Sequence, residues 1–227
     1  MEMGNFIDFL MRWIHFFAGV TWIGILYYFN FVQTEFFKVA DASTKSNAIA
    51  QLVPRALWWF RYGALFTFLS GLALAGFMGA AVNVYITIGM LLGTLMFLNV
   101  WLIIWPNQKT VIASAEQVLA GGEALPAAAG ALAKAGLASR TNTLFSLPML
   151  FFMGASGHLN GMGRSLVSSL SSDNGVSTLA FAIALLIIAG LQFNAIKGKA
   201  GPMTSVVGVI HCGIGLAAVL LVVLEFL

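Results

Sequence analysis

The sequence predicts an all-α, polytopic membrane helix bundle with about six transmembrane helices and both termini outside. Three observations carry that expectation. The 227 residues are 60% hydrophobic and only 8% charged, whereas a soluble domain carries roughly 25% charged residues. Apolar runs recur near the ~20 residues that a helix needs to cross the hydrocarbon. The basic residues, finally, gather in alternate loops.

The expected spans are 7–33, 57–79, 82–105, 141–158, 177–195 and 203–226, forming a single transmembrane domain over residues 1–227. The first is longer than a bilayer requires, so tilt or projection is expected. The second and third are joined by a near-minimal turn around Gly79–Asn83, which makes them an antiparallel hairpin. The third carries a G-x-x-x-G pair, Gly89 and Gly93, that permits close packing. It ends at Trp101 and Trp105, an interfacial aromatic belt, with Pro106-Asn107 as the expected helix stop. The fourth contains Pro148, and a kink is expected there.

The loops on one side are 34–56, 107–140 and 196–202. In the first, Asp41, Ser43 and Thr44 are turn or cap residues. The second, Ala- and Gly-rich with Pro126, reads as two short surface helices. On the other side, 159–176 is a Ser/Gly-rich loop.

One side thus holds Lys38, Lys45, Arg55, Arg61, Lys109, Lys134, Arg140, Lys197 and Lys199, and the other only Arg12 and Arg164. The positive-inside rule places the crowded side in the cytoplasm and both termini outside. A net charge of +3 spread over short loops offers no nucleic-acid surface. No signal-peptide pattern opens the chain. Cys212 alone makes no disulfide framework, and without a C-x-x-C-H no c-type haem is attached to this chain.

The chemistry-bearing residues centre on Arg12 to Gln33. At ~100° per residue, Arg12, His15, Gly19, Trp22, Leu26, Asn30 and Gln33 share a stripe about 80° wide. Polar residues gathered on one face of a membrane helix turn that face into protein. Gly19, between His15 and Trp22, leaves room for a flat group against the backbone. The stripe reads as the wall of a cofactor or substrate site.

All three histidines, His15, His158 and His211, lie in or at the edge of spans, where an imidazole is costly unless it has a role. The alternative for each is a hydrogen bond to a backbone carbonyl or a helix cap. His15 lies eighteen residues before Gln33 and His158 eighteen after Arg140, which puts both roughly 27 Å from the cytoplasmic edge. His211, twelve residues past Lys199, is roughly 18 Å up. A b-type haem takes axial ligands from opposite faces of one ring, hence at similar depth. His15 with His158 fits best as the iron-ligating pair, and His15 with His211 requires tilt.

Arg12, one turn outward of His15, is either a partner for a haem propionate or a snorkelling interfacial arginine. Arg55 and Arg61 flank Leu57-Trp58-Trp59 and serve either as topology anchors or as ligands for an anionic substrate or a second haem propionate. Asn142 and Asn99 either join helices or, for Asn142, contact substrate. No carboxylate sits in a span beside the histidines, and no H-x-x-x-H or E-x-x-H pair occurs, so a protein-only metal site is disfavoured. Cys212 lacks an acid partner for nucleophilic catalysis.

Four blocks, W-I-H-F-F-A-G-V-T-W-I-G-I-L-Y-Y-F-N-F-V-Q (13–33), P-R-A-L-W-W-F-R-Y-G-A (54–64), N-V-W-L-I-I-W-P-N-Q-K (99–109) and R-T-N-T-L-F-S-L-P-M-L-F-F-M-G-A-S-G-H (140–158), occur in this order. Together they resemble the membrane domain of the PuuD-type urate oxidases, or urate hydroxylases. The resemblance implies a multi-pass protein of the bacterial inner membrane tied to a respiratory chain. In that family a C-terminal cytochrome c domain takes the electrons from urate. This sequence has no haem-c motif, so the resemblance implies a separate periplasmic cytochrome c as acceptor.

The expectation is therefore a haem b-binding redox protein of urate oxidase type. Its partners would be membrane lipid and cytochrome c or other respiratory-chain subunits, in a homo- or hetero-oligomer. The alternative is a non-catalytic accessory or anchor subunit of a larger respiratory complex. A transporter of purines or other small anions is a third class; it calls for paired broken helices, and only Pro148 hints at one.

Overall fold

The computed structural model describes residues 3–159 and 177–227. Arg164 and most of the expected 159–176 loop lie outside the described residues. Among the described residues every regular element is helical. We number the long helices α1 (Met3–Val39), α2 (Ala42–Met78), α3 (Val84–Leu119), α4 (Ala128–His158), α5 (Thr178–Lys197) and α6 (Val206–Phe226).

Five of them, α1, α2, α3, α5 and α6, are long and apolar enough to cross a membrane. The fourth expected span forms as part of α4 but falls short of that hydropathy. Its place in the bundle gives the reason. Every residue from Arg140 to Ser146 is buried, and α4 packs against α3, α6, α5 and α1. A helix enclosed on all sides contacts little lipid, so its surface can carry polar groups that bond to its neighbours.

The expected loops 34–56 and 107–140 are largely helix, which corrects the reading of two short surface helices. The first three helices run for 37, 37 and 36 residues. At 1.5 Å per residue each is roughly 55 Å long against a hydrocarbon core of ~30 Å. The α2–α3 connection is a tight turn, with Gly79 at φ +50° and the Asn83 side chain capping Ile86 N at 3.0 Å. The excess length therefore projects at the opposite, basic end. There Ala40 turns extended between α1 and α2, and Asp41 caps α2 by accepting from Thr44 N (2.9 Å) and Thr44 Oγ1 (2.6 Å). These bonds hold the Asp41 carboxyl below its ordinary pKa.

Pro106 does not stop α3. A π-helical turn, Asn99–Ile104, comes just before it, and Trp105 N donates to Val100 O across the widened turn. The same device precedes Pro54, where Ala48–Leu52 is π-helical and Val53 N donates to Ala48 O. A widened turn absorbs the mismatch of a residue that has no N–H and crowds the preceding turn, so the helix continues.

Helix α4 continues through Pro148. The proline leaves Leu144 O without its usual intrahelical donor. Gly213 of α6 packs at this point: a Cβ there would stand 3.1 Å from Leu144 O and collide with the Leu147 side chain. Gly213→Leu is expected to wedge α6 from α4 at a cost of about 1–3 kcal/mol. The check is loss of the monodisperse peak, or a lowered melting temperature, in detergent. Gly89 and Gly93 likewise bring α3 against Met149 and Met153 of α4.

Candidate functional site

The stripe of α1 is the face that packs. Trp22, Leu26 and Asn30 are buried, whereas Trp13, Phe16, Phe17 and Val20 are exposed. Gly63 of α2 lies so close that a Cβ would stand 3.1 Å from Trp22 N. His15 faces Ser70 and Gly71 of α2, and Gly19 faces Thr67.

Below the histidine, toward the basic end, lies a layer of amides, buried at Asn30, Asn99 and Asn142 and half-buried at Gln192. Asn99 of α3 and Gln192 of α5 exchange two bonds, Asn99 Nδ2 to Gln192 Oε1 (3.0 Å) and Gln192 Nε2 to Asn99 Oδ1 (2.7 Å). Asn99 Nδ2 also donates to Asn142 Oδ1 (2.9 Å), and Asn142 Nδ2 donates to Met96 O (2.9 Å). On the other flank of α4, Asn30 Nδ2 donates to Ser139 Oγ and to Leu26 O, each at 2.9 Å. The Tyr27 and Ser146 hydroxyls are bonded at 2.9 Å. Two π-helical turns, Tyr28–Gln33 and Asn99–Ile104, fall at this layer. Such turns are frequent at functional sites.

Sequence reasoning named Asn142 and missed Gln192, Arg140 and Tyr27. An amide in the middle of an apolar span is the signal that could have found Gln192. Four buried polar atoms among the described residues have no hydrogen-bond partner: Trp22 Nε1, Gln33 Oε1, Trp101 Nε1 and Arg140 Nη1.

The histidines occupy separate places. His158 Nδ1 lies 2.9 Å from Gly154 O and His211 Nδ1 lies 2.7 Å from Val207 O, each one turn back in its own helix. A carbonyl can only accept, so the hydrogen-bond network assigns the proton to Nδ1. His15 Nδ1 is 3.2 Å from Ser70 Oγ, whose hydroxyl donates to Phe66 O at 2.6 Å. With that proton committed, Ser70 accepts from His15. With Nδ1 engaged as donor in all three rings, Nε2 is the nitrogen left to ligate a metal. His158 and His211 are exposed, His15 partly buried.

Register sorts them by depth. Helices α1 and α4 are antiparallel, tied by Tyr27 to Ser146 and by Asn30 to Ser139. His15 lies twelve residues outward of Tyr27, and His158 twelve outward of Ser146. Both imidazoles thus sit ~18 Å beyond that bond. Helix α6 runs parallel to α4, because Gly213 meets Leu144 while Tyr85 joins Glu225 to Phe152. His211 is therefore level with residues near Asn142, roughly 20 Å inward of His158.

The arginines are largely committed. Arg12 pairs with Asp8 one turn outward, Nε to Oδ2 at 2.8 Å, on the exposed surface. The Arg61 guanidinium lies 3.4 Å from the centre of the Trp105 ring, and its Nε donates to Leu57 O at 3.3 Å. That stacking makes it a clamp between α2 and α3. Arg55 lines a shallow depression with Pro54, Trp58 and Trp59. No group of three or more His, Cys, Asp or Glu side chains that could hold a metal ion by themselves occurs among the described residues. A macrocyclic metal group would need only one or two axial imidazoles from the protein.

Residues 77–165 match the family described as urate oxidase N-terminal. The match covers less than half of the chain. It takes in all of α3 and α4, with Asn99, Arg140, Asn142 and His158, and leaves out His15, Gln192 and His211. No curated protein and no solved structure matches the chain. Over this stretch the protein is similar to urate oxidase-type proteins. Two of the four blocks quoted above, 99–109 and 140–158, lie inside the matched residues.

Proposed function

We propose that this protein is the membrane-embedded redox unit of a PuuD-like urate oxidase-type oxidoreductase in the bacterial inner membrane. It holds haem b through His15 and His158 and passes electrons to a separate periplasmic cytochrome c. The observation that carries this reading is the pair of imidazoles at one depth, each with Nδ1 engaged and the Nε2 lone pair free, with His158 inside the urate oxidase N-terminal match. A bound haem would supply one-electron chemistry. The chain's own residues do the rest. Ser70 fixes the His15 tautomer, and Gly71 lets the ring lie against α2, since a Cβ there would stand 3.2 Å from Cε1. Gly154 and Gly157 leave open space beside His158.

A second reading is supported by a specific observation. His158 and His211 are exposed, so each is open to contact from outside the bundle. A partner subunit or a second copy could complete sites there, as in an accessory or anchor subunit of a respiratory complex.

The deciding experiment is a reduced-minus-oxidised visible spectrum of the detergent-purified chain with a pyridine haemochrome assay. It is repeated with urate as the only reductant. A b-type spectrum that urate reduces supports the first reading. Haem that urate leaves oxidised in the isolated chain, but reduces once other subunits co-purify, selects the second. Absence of haem after gentle purification overturns the first reading and leaves the accessory one.

A further inference from the structure

A shallow depression of about 400 Å³ opens on α2 toward the basic end, lined by Pro54, Arg55, Trp58 and Trp59. Positions 55, 58 and 59 lie three and four apart, so helical spacing gathers them on one face. Its walls are braced. Trp58 meets Trp59 edge to face, with ring centres 5.0 Å apart and planes at 82°, and Tyr62 supports Trp58 at 4.7 Å. Tyr62 in turn lies edge-on to Trp101 of α3 at 6.2 Å. The depression therefore stands beside the Trp101 and Trp105 belt, the level at which bilayer gives way to water.

Two kinds of surface are left unmet there. Trp58 and Trp59 are 48% and 54% exposed. Arg55 is exposed as well, and among the described residues its guanidinium has no hydrogen bond and no ion pair. Its own helix offers it no partner, because α2 carries no Asp or Glu from Ala42 to Met78. Arg12 and Arg61, by contrast, are engaged by Asp8 and by the Trp105 ring. A soluble phosphate would meet Arg55 and leave the indole faces bare. A zwitterionic lipid would cover the indoles but bring its own cation to compete for the phosphate. An anionic glycerophospholipid answers both needs: its phosphodiester oxygens suit the guanidinium fork, and its glycerol and upper acyl chains suit the indoles.

We propose that Pro54, Arg55, Trp58 and Trp59 form a seat for one anionic phospholipid of the cytoplasmic leaflet. Pro54 has no side-chain freedom to lose on binding, and the indoles are already held by their neighbours. The seat fixes the depth of α2 where the helix leaves the bilayer and enters its π-helical turn, Ala48–Leu52.

The test is tryptophan fluorescence of the full chain in phosphatidylcholine nanodiscs containing a minority of lipid brominated on its acyl chains, which quenches rings that it touches. Ratios taken within one variant cancel any constant quenching by a bound haem. In wild type, brominated phosphatidylglycerol is expected to occupy the quenchable site about 5-fold more readily than brominated phosphatidylcholine. Arg55→Gln, an exposed change that spares the core, should bring that ratio close to one. Lys134→Gln removes another exposed cation from the same end and should leave the ratio unchanged. Equal quenching by the two lipids in wild type overturns the seat, and so does an unaltered ratio in Arg55→Gln. An equal fall in Lys134→Gln also overturns it, since that result marks a diffuse attraction of the whole basic end to anionic lipid. Relief of the phosphatidylglycerol quenching by glycerol 3-phosphate would overturn the lipid as occupant and assign the site to a soluble phosphate.

Discussion

Replacing Asn99 with Leu is expected to destabilise the bundle by about 2–4 kcal/mol, the largest single effect of any polar substitution here. Asn99 makes three side-chain bonds to two other helices, with Asn142 of α4 and Gln192 of α5. Interhelical bonds in membrane proteins average ~0.6 kcal/mol and reach ~1.7 kcal/mol each. The substitution also strands the Gln192 amide against apolar surroundings, which adds a desolvation penalty. In a thermal melt in detergent the midpoint should fall by roughly 5–10 °C. The sharper check is a cycle with Gln192→Leu. Replacing both amides leaves no stranded partner on α5, so the double variant should be less destabilised than the sum of the singles by about 1 kcal/mol or more. Additivity within ~0.5 kcal/mol would mean that the two amides are not coupled.

If haem is present, His15→Ala and His158→Ala should each abolish the low-spin b-type spectrum, while His211→Ala keeps it. The asymmetry follows from register. His15 and His158 stand equally far outward of the Tyr27–Ser146 bond, and His211 lies roughly 20 Å inward. Two axial ligands of one iron cannot be separated by that distance along the membrane normal. Ser70→Ala, which removes the group that holds the His15 Nδ1 proton, should weaken haem retention roughly 10-fold. The spectrum of each variant, normalised to protein, reads all four. Loss of haem in His211→Ala with retention in His158→Ala would reject the pairing.

How far the site was legible depended on what each residue needed from its neighbours. The inward stripe of α1 could be read from spacing alone, because helical periodicity and the penalty for polar groups in lipid act within one segment. The depth match of His15 and His158 needed only the rise per residue. By contrast Arg140 reads in sequence as one more basic residue in a loop. That its Nη1 is buried without a hydrogen-bond partner among the described residues depends on how other helices enclose α4. Arg61, open to a role in substrate binding by its position, is claimed by the Trp105 ring across the α2–α3 contact.

By itself the sequence determined an all-α membrane protein, its basic end, the turn at Gly79 and the packed face of α1. Composition, charge and periodicity are summed over one segment at a time, and each segment carries that information whole. Only the tertiary structure decided that Pro106 is passed by a π-helical turn, that the projecting helices replace the expected loops, and that the least apolar span lies at the centre. Those outcomes depend on which surfaces meet. A proline is tolerated where the ladder can widen, and a polar helix is stable in a bilayer when other helices, rather than lipid, surround it.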